Sequence, residues 1–186
     1  MKRLFDFSMS LLAIFLLSGP MLFIAILIKL TSKGPAFYWS DRIGLNNNTF
    51  KMPKFRTMQV MTPEVATHLL DDPNRFLTPL GRFLRKSSLD ELPQIYSILK
   101  GDMSFVGPRP ALYNQKDLIE LRTKKNIHKL LPGLTGWAQI NGRDELPLLV
   151  KVEHDEYYLD NRSFLLDLKI IYRTFYLIFQ YKDIHH

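Results

Sequence analysis

Residues 7–28 read FSMSLLAIFLLSGPMLFIAILI and contain no charged side chain. An α-helix needs roughly 20 apolar residues to cross the hydrocarbon core of a bilayer, so this run is long enough to do so. It is too long for the apolar part of a secretory signal peptide, and no small-residue cleavage site separates it from the rest of the chain. We therefore expect a membrane segment that is retained in the protein and covers residues 1–32.

The middle of this segment contains a helix-breaking triplet, Ser18-Gly19-Pro20. Proline removes one helical hydrogen bond and clashes with the preceding turn, and glycine weakens the helix further. Basic residues flank both ends of the apolar run, and the positive-inside rule places such flanks on the cytoplasmic side. They are Lys2, Arg3, Lys29, Lys33, Arg42, Lys51 and Lys54. This pattern predicts a re-entrant helix-break-helix hairpin, with a single spanning helix kinked at proline as the alternative.

The composition limits the chemistry that the chain can perform. Its 186 residues are typical of one domain. Lysine and arginine number 25 against 18 for aspartate and glutamate, and the resulting net charge of +7 favours nucleic acid, acidic lipid or phosphorylated substrates as partners. The absence of cysteine excludes disulfides, thiol chemistry and Cys-based zinc sites. Net charge alone does not distinguish among these anionic partners, so the sequence motifs are needed to identify the partner.

Residues 33–186 are expected to fold as a mixed α/β domain that is predominantly helical. Strand-like runs at residues 36–40 and 50–58 flank a polar tip at residues 46–49, which predicts a small β-hairpin. A further strand is predicted at residues 135–140 within a glycine-rich stretch. Helices are predicted at residues 62–70, 75–86, 90–99, 114–131, 148–161 and 164–181.

The last predicted helix, residues 164–181, combines many aromatic and aliphatic side chains with charged ones such as Asp167, Lys169 and Arg173. It is too polar to span a bilayer and suits an amphipathic helix that lies in the membrane interface. An ordinary core helix is the alternative, because both kinds of helix need one apolar face.

Two adjacent carboxylates, Asp90 and Glu91, begin the helix predicted at residues 90–99. The helix dipole at this end favours an ionised carboxylate, and the exposed amides there favour a bound phosphate. Arg85 precedes them by one to two turns, and Arg109 lies in a stiff Pro-Arg-Pro turn, so guanidinium groups are available to clamp a diphosphate. With Mg²⁺ held by Glu91, this set of residues suits phosphoryl transfer.

Two observations weigh against this interpretation. Acidic residues in a first turn usually complement the helix dipole, and Ser88 with Glu91 matches a capping box, so the carboxylates have a purely structural explanation. The tetrapeptide DELP also occurs twice, at residues 90–93 and 144–147. The first copy is the better candidate, because basic residues and a clear helix surround it.

Four longer motifs carry a more specific signal. They are KFRTM (residues 54–58), SLDELPQ (88–94), KGDMSFVGPRP (100–110) and PGLTGWAQINGR (132–143). Together they resemble the bacterial sugar transferase family, whose small members are the monotopic phosphoglycosyl transferases. The GDMSFVGPRP block is highly specific, and the similarity extends from residue 2 to about residue 172.

The resemblance implies nucleophilic catalysis in two displacements, with ping-pong kinetics. Asp90 matches the family's nucleophile, which attacks the donor phosphate nearest the sugar and releases UMP before polyprenyl phosphate takes the sugar phosphate from the enzyme. Glu91 matches its Mg²⁺ ligand, and the cation neutralises charge on the diphosphate. The other matches to active-site positions, expected to bind substrate, are Lys54, Arg85, Arg109, Arg143 and Asp167.

The resemblance also implies a topology and a set of partners. The family's N-terminal helix is re-entrant and broken at a Ser-Pro pair, where this chain has Gly19 between Ser18 and Pro20. The catalytic part, residues 33–186, is expected to face the cytoplasm from the bacterial inner membrane. Expected partners are undecaprenyl phosphate, membrane lipid and a UDP-sugar that carries an N-acetylated or modified amino sugar, and no nucleic acid. We expect the minimal form of the family, which typically begins the assembly of glycans.

Two other functions stay open. A membrane-tethered basic binding module would use the same anchor and charge, with Asp90 and Glu91 only capping a helix, and would release no UMP. A glycosyl transferase would pass on the sugar alone and release UDP. The leaving nucleotide distinguishes these functions.

Overall fold

The computed structural model describes residues 1–62, 72–142 and 146–180. Most of the chain is helical around small sheets, as expected. The α-helices are α1 (Lys2–Thr31), α2 (Gly81–Lys86), α3 (Ile95–Lys100), α4 (Lys116–Lys124), α5 (Trp137–Ile140), α6 (Leu148–Asn161) and α7 (Phe164–Gln180). The strands are β1 (Phe37–Ile43), β2 (Thr49–Phe55), β3 (Ser104–Val106), β4 (Ala111–Leu112) and β5 (Gly133–Thr135). Short 3₁₀ helices occur at Leu45–Asn47, Pro73–Phe76, Leu89–Gln94 and Ile127–Lys129.

The predicted β-hairpin is confirmed. β1 pairs with β2 along its whole length in antiparallel register, and β4 pairs with the other edge of β1. Asn46 and Asn47 at the polar tip adopt positive φ angles of 53° and 61°, which asparagine tolerates better than most residues. β2 is thus an edge strand, and it packs against the 3₁₀ helix Leu89–Gln94. This contact joins the KFRTM and SLDELPQ motifs.

The apolar N-terminal segment forms one uninterrupted helix, α1, with Pro20 inside it. Within the described ranges, α1 is the one helix that is long and apolar enough to cross a membrane. A division into two helices at Ser18-Gly19-Pro20 is not seen, so the re-entrant hairpin stays a prediction.

Both ends of α1 are attached to the rest of the protein. Near the N-terminus, Arg3 donates to the carbonyls of Ile98 and Leu99 in the last turn of α3, at 2.6 and 2.7 Å. The backbone N–H of Phe105 donates to Asp6, which is 1% exposed. These contacts hold the start of α1 against the end of α3 and the middle of β3.

The opposite end of α1 packs against the hairpin and α2. Ile28 is buried in one cluster with Phe55 and Leu84. Arg56 then donates to the hydroxyl of Ser32 at 2.7 Å and to the carbonyl of Lys33, just beyond the helix. The two ends of α1 therefore lie against one and the same folded domain, while most of the helix between them is exposed.

α7 confirms the helix predicted at residues 164–181 as far as Gln180. One face packs on the core, where Ile170 is fully buried beside Val106 and Tyr158. The other face exposes large apolar and aromatic side chains. They are Leu165, Leu168, Tyr172, Phe175 and Tyr176. α7 is thus a core helix on one side and has the apolar outer face that the interfacial interpretation requires.

The helix predicted at residues 75–86 is confirmed only in its last part, α2. The backbone N–H of Thr78 donates instead to the carbonyl of Thr57 at 2.9 Å, and Pro79 has no N–H to donate to a helical carbonyl. The helix predicted at residues 62–70 falls almost entirely outside the described residues.

The helix predicted at residues 90–99 is divided in two, because the 3₁₀ helix Leu89–Gln94 precedes α3. Pro93 lies inside this first part and removes the N–H that an α-helix would need there. Gly101, with a φ of 104°, ends α3 just past the predicted end of the helix.

Three other predictions have mixed outcomes. The helix predicted at residues 114–131 is shorter, since α4 gives way to a turn at Asn126, whose φ is 59°. The strand predicted at residues 135–140 is wrong, because β5 ends at its first residue, its partner β3 is three residues long, and α5 follows. The helix predicted at residues 148–161 is confirmed by α6.

β3 and β5 form a parallel pair that brings two glycines together. A Cβ atom added to Gly133 would lie 2.1 Å from the backbone nitrogen of Gly107 and 2.3 Å from the carbonyl oxygen of Thr135. Real Cβ atoms do not approach backbone atoms this closely, so the strands would have to separate. This pairing connects the GDMSFVGPRP motif to the PGLTGWAQINGR motif.

Gly133→Ala is expected to destabilise the fold by more than about 4 kcal/mol, because every atom that the new methyl group meets belongs to rigid backbone. The measurement is the free energy of unfolding or the Tm of the full chain in detergent. Gly19→Ala is the control, since nothing lies within 4 Å of its added Cβ and alanine favours a helix over glycine by up to about 1 kcal/mol. Equal Tm values for the two variants would contradict the packing described for β3 and β5.

Candidate active site

An ion-pair cluster lies where β2 meets the 3₁₀ helix Leu89–Gln94. Lys54, at the end of β2, donates to Oε1 of Glu91 at 2.7 Å. Arg109, from the turn after β3, donates to the same oxygen at 3.2 Å. The Lys54 and Glu91 side chains are 16% and 19% exposed, so the pair is shielded but still reached by solvent. The structure thus brings together three residues that are distant in sequence and that the motifs predicted to share a site.

Glu91 is held ionised by this cluster. Burial by itself raises the pKa of its carboxyl, but the charges of Arg109 and Lys54 and their hydrogen bonds outweigh it and lower the pKa from 4.5 to about 2. The carboxylate is therefore an anion over the whole physiological pH range. A lowered pKa means that ionised Glu91 stabilises the fold above its ordinary pKa, and this contribution is lost as the pH falls toward 2.

Asp90, the neighbouring residue, has the opposite environment. It is 8% exposed, and this burial raises the pKa of its carboxyl. Lys54 lowers it, Glu91 raises it further, and Arg85 and Arg109 lower it, with burial as the largest effect. Adjacent carboxyls with pKa values pushed apart are a sign of different chemical roles. A carboxylate stripped of water and surrounded by cations is well placed to attack an electrophilic phosphorus.

The first turn of this segment contradicts the capping box expected from the sequence. Ser88 adopts a positive φ of 57° and its hydroxyl caps no amide of the helix, within the part of the chain that the structure describes. Glu91 contacts Lys54 and Arg109 instead, so the capping box is wrong. Burial raises the pKa of Asp90 although the residue lies in the first turn of this helix, so the expected effect of the helix dipole on its ionisation stays a prediction.

Arg85 approaches the carboxylates from α2. Its Nε donates to the hydroxyl of Thr57 at 3.0 Å, which holds one edge of the guanidinium against the end of β2. Burial lowers the pKa of Arg85 and Asp90 raises it, yet an arginine stays charged at any physiological pH. Arg85 therefore contributes a fixed positive charge beside Asp90, and its predicted contact with substrate stays a prediction.

Asp167 lies in a different network. Its Oδ2 accepts from Lys2 of α1 at 2.6 Å, and its Oδ1 accepts from the hydroxyl of Tyr158 at 2.6 Å. Burial, together with the negative charge of Asp167, raises the pKa of Tyr158 well above its ordinary range, so its hydroxyl keeps its proton. Asp167 thus ties the start of α1 to α6 and α7, and its predicted contact with substrate stays a prediction.

The residues present suit a magnesium ion bound in part by substrate. No group of three or more His, Asp or Glu side chains is arranged to hold a metal among residues 1–62, 72–142 and 146–180. Mg²⁺ usually keeps several waters and takes one or two carboxylates plus substrate phosphates, so a complete protein cage is not required. Both bonds from Lys54 and Arg109 go to Oε1 of Glu91, which leaves Oε2 of an ionised carboxylate for such an ion.

The profile of the bacterial sugar transferases matches residues 1–181. The chain belongs to that family. The match includes α1 as well as the residues of the cluster around Asp90 and Glu91.

Two relatives are named for reactions on undecaprenyl phosphate. A UDP-N-acetylgalactosamine-undecaprenyl-phosphate N-acetylgalactosaminephosphotransferase of Aeromonas hydrophila is 38% identical, over 93% of this chain and 42% of the relative. A UDP-glucose:undecaprenyl-phosphate glucose-1-phosphate transferase of Escherichia coli is 41% identical, over 94% and 39%. An uncharacterised sugar transferase of Bacillus subtilis, EpsL, is 44% identical, over 94% and 85%. The chain therefore spans about two fifths of the two relatives with assigned reactions and most of EpsL.

The described residues leave out one predicted site residue, Arg143, and add one that was not predicted, Thr57. Arg143 and the second copy of DELP, from Asp144, fall largely outside the described residues. Thr57, which orients Arg85, was not selected from the sequence although it belongs to the quoted KFRTM motif. The feature that could have identified Thr57 is its position three residues after Lys54, a predicted site residue at the end of β2.

Proposed function

We propose that this protein transfers a sugar 1-phosphate from a UDP-sugar to undecaprenyl phosphate and releases UMP, through a covalent intermediate on Asp90. The observation that carries the proposal is the pairing of a buried carboxyl, Asp90, with an ionised neighbour, Glu91, inside a group of three cations. The named reactions of relatives in the family support the same chemistry. We further propose that it is the first membrane step of glycan assembly.

Two displacements at phosphorus account for the reaction. An oxygen of Asp90 attacks the phosphorus next to the sugar, the new oxygen–phosphorus bond forms, and the bond to the bridging oxygen breaks so that UMP leaves with its electron pair. An oxygen of undecaprenyl phosphate then attacks the same phosphorus, which restores the Asp90 carboxylate and produces the lipid diphosphate sugar. Lys54, Arg85, Arg109 and Arg143 are proposed to bind the phosphate groups.

Mg²⁺ is proposed as the metal, held by Glu91 and by oxygens of the donor. When bound, it would neutralise negative charge that develops on the diphosphate. The protein's own part is to keep Glu91 ionised, which the cations Lys54 and Arg109 achieve. The same cations hold the carboxylate in one orientation.

The donor is proposed to be a UDP-linked N-acetylated or modified amino sugar. Relatives in the family are named for N-acetylgalactosamine and for glucose, so both kinds of sugar belong in any test. The identity of the nucleotide released distinguishes the rival reactions, independent of the sugar.

The direct test combines detergent-solubilised full chain, undecaprenyl phosphate and Mg²⁺ with a panel of UDP-sugars that includes both kinds. Chromatography then identifies the released nucleotide. Repeated turnover to UMP that requires the lipid phosphate and one or a few donors, beyond at most one UMP per protein without the lipid, supports the proposal. UDP instead of UMP would mean transfer of the sugar alone, and no nucleotide from any donor would favour a membrane-tethered binding module.

We also propose that α1 enters and leaves the bacterial inner membrane on its cytoplasmic face, as a re-entrant helix bent at Ser18-Gly19-Pro20. The support comes from both ends of α1. Arg3 and Asp6 contact the same domain that buries Ile28, and a helix that crossed the bilayer would place its ends on opposite sides. The exposed aromatic face of α7 is proposed to lie in the same interface.

Cysteine labelling tests this topology, since the chain contains no cysteine of its own. Single variants Leu4→Cys and Lys33→Cys place thiols at two exposed positions, one at each end of α1. A membrane-impermeant maleimide is expected to label both thiols in inverted vesicles and neither in intact cells. Labelling of Leu4→Cys from the outside and Lys33→Cys from the inside would show a spanning helix.

A further inference from the structure

The turn that carries Arg109 is held by three successive carbonyls. The carbonyl of Pro108 accepts from the backbone N–H of Gly133 at 2.9 Å, and that of Pro110 accepts from Arg42 at 3.1 Å. Between them, the carbonyl of Arg109 accepts from Nη1 of Arg122 at 2.8 Å. The two prolines restrict φ on either side, so the backbone of Arg109 has little freedom left.

Arg122 reaches this turn from α4, in the middle of the protein. It is 8% exposed, and its Nε and Nη2 donate to Oδ2 of Asp155 on α6 at 2.9 and 2.6 Å. Asp155 is 2% exposed, and burial raises the pKa of its carboxyl while Arg122 opposes that rise. One guanidinium thus connects α4, α6 and the turn.

Stability alone is a weak explanation for such a pair. Dehydrating two charges offsets most of the attraction between them, so a buried ion pair adds little net free energy compared with apolar residues of similar volume. A planar guanidinium that is already held on one edge does offer a fixed direction for its remaining N–H group. Here that group points at the backbone of Arg109, whose side chain reaches Glu91.

We propose that Arg122, oriented by Asp155, is a positioning residue for Arg109. By holding the carbonyl of Arg109 it keeps the guanidinium directed at Glu91 and at the space where the donor's diphosphate is proposed to bind. The expected effect of Arg122 on the catalytic rate rests on the proposed function. Its expected effect on the backbone around Arg109 does not.

The test compares Arg122→Lys with a control in the same helix pair. Lysine keeps the charge beside Asp155 but lacks the planar fork that joins the carboxylate to the carbonyl of Arg109. The control is Lys125→Gln, which removes the exposed ion pair between Lys125 and Glu156, also between α4 and α6. Both variants are made in the full chain and in an Arg109→Lys background.

Arg122→Lys is expected to lower kcat by about tenfold with a much smaller change in the KM for the UDP-sugar, and to have almost no further effect in the Arg109→Lys background. Lys125→Gln is expected to leave kcat unchanged in both. A tenfold loss that persists in the Arg109→Lys background, or a loss that follows the fall in Tm, would overturn the positioning role.

Hydrogen exchange separates this inference from the proposed function. Backbone amides of residues 107–112 are expected to exchange at least about tenfold faster in Arg122→Lys than in the wild type or Lys125→Gln. If the wild-type protein turns over no UDP-sugar, the proposed function fails, and faster exchange still supports the bracing of the turn. Unchanged exchange would overturn it whatever the activity.

Discussion

Asp90→Asn is expected to lower the rate of UMP release by at least about 10³-fold, because the amide cannot form the bond to phosphorus that the carboxylate forms. The effect is expected on kcat, with donor binding largely retained, since the cations that surround Asp90 remain. The measurement is UMP release at saturating UDP-sugar, undecaprenyl phosphate and Mg²⁺.

The fold of this variant is expected to be intact. Burial raises the pKa of Asp90, so its charge opposes folding at neutral pH, and a neutral amide of the same shape should leave the Tm equal to or above that of the wild type. Asp41→Asn is the matched control, because Asp41 is an exposed carboxylate paired with Lys51 in the hairpin. Full activity in Asp90→Asn, or equal loss in both variants, would refute the nucleophile.

Glu91→Gln is expected to lower activity by about 10²-fold and to raise the Mg²⁺ concentration that gives half-maximal rate. The amide is a poor metal ligand and no longer neutralises Lys54 and Arg109, so both cations lose their fixed position. The measurement is a Mg²⁺ titration of UMP release. Glu156→Gln, which removes an exposed carboxylate on α6, serves as the control and should behave as the wild type.

The same substitution is expected to cost about 1–3 kcal/mol of stability, because it removes the charge of a carboxylate that accepts from both Lys54 and Arg109. The cost depends on pH in a defined direction. Ionised Glu91 contributes fully above about pH 4.5, so the difference in unfolding free energy between wild type and Glu91→Gln should shrink as the pH falls toward 2. A difference that stays constant from neutral pH to pH 3 would contradict the assigned ion pairs.

Elements with strong local signals could be predicted from the sequence. The hairpin was predicted from two strand-like runs around an asparagine-rich tip, and α6 from its apolar spacing. The joining of Lys54, Glu91 and Arg109 was predicted from motifs, because periodicity cannot bring residues so far apart in sequence together. The structure explains why these residues meet, because β2 packs on the 3₁₀ helix Leu89–Gln94.

Other features depend on contacts that no local pattern reports. Ser88 has the residue type of a helix cap, yet its backbone lies in the left-handed region because the chain must turn from α2 into the 3₁₀ helix. The carbonyl of Thr57 accepts a hydrogen bond that shortens α2, which only the tertiary structure shows. Nothing in the sequence distinguishes Arg122 from other arginines in predicted helices. Its proposed positioning role becomes visible only from its hydrogen bonds to Asp155 and to the carbonyl of Arg109.

The central claim is the covalent intermediate on Asp90, and one measurement addresses it directly. Wild type, Asp90→Asn and Asp144→Asn are mixed with UDP-sugar and Mg²⁺ but no undecaprenyl phosphate, and both the released UMP and the intact mass of the protein are recorded. We expect wild type and Asp144→Asn to release up to one UMP per protein and to gain the mass of one sugar phosphate, and Asp90→Asn to do neither. UMP that appears only after the lipid phosphate is added, with no gain in mass, would contradict the intermediate, and loss only in Asp144→Asn would move the nucleophile to the second motif.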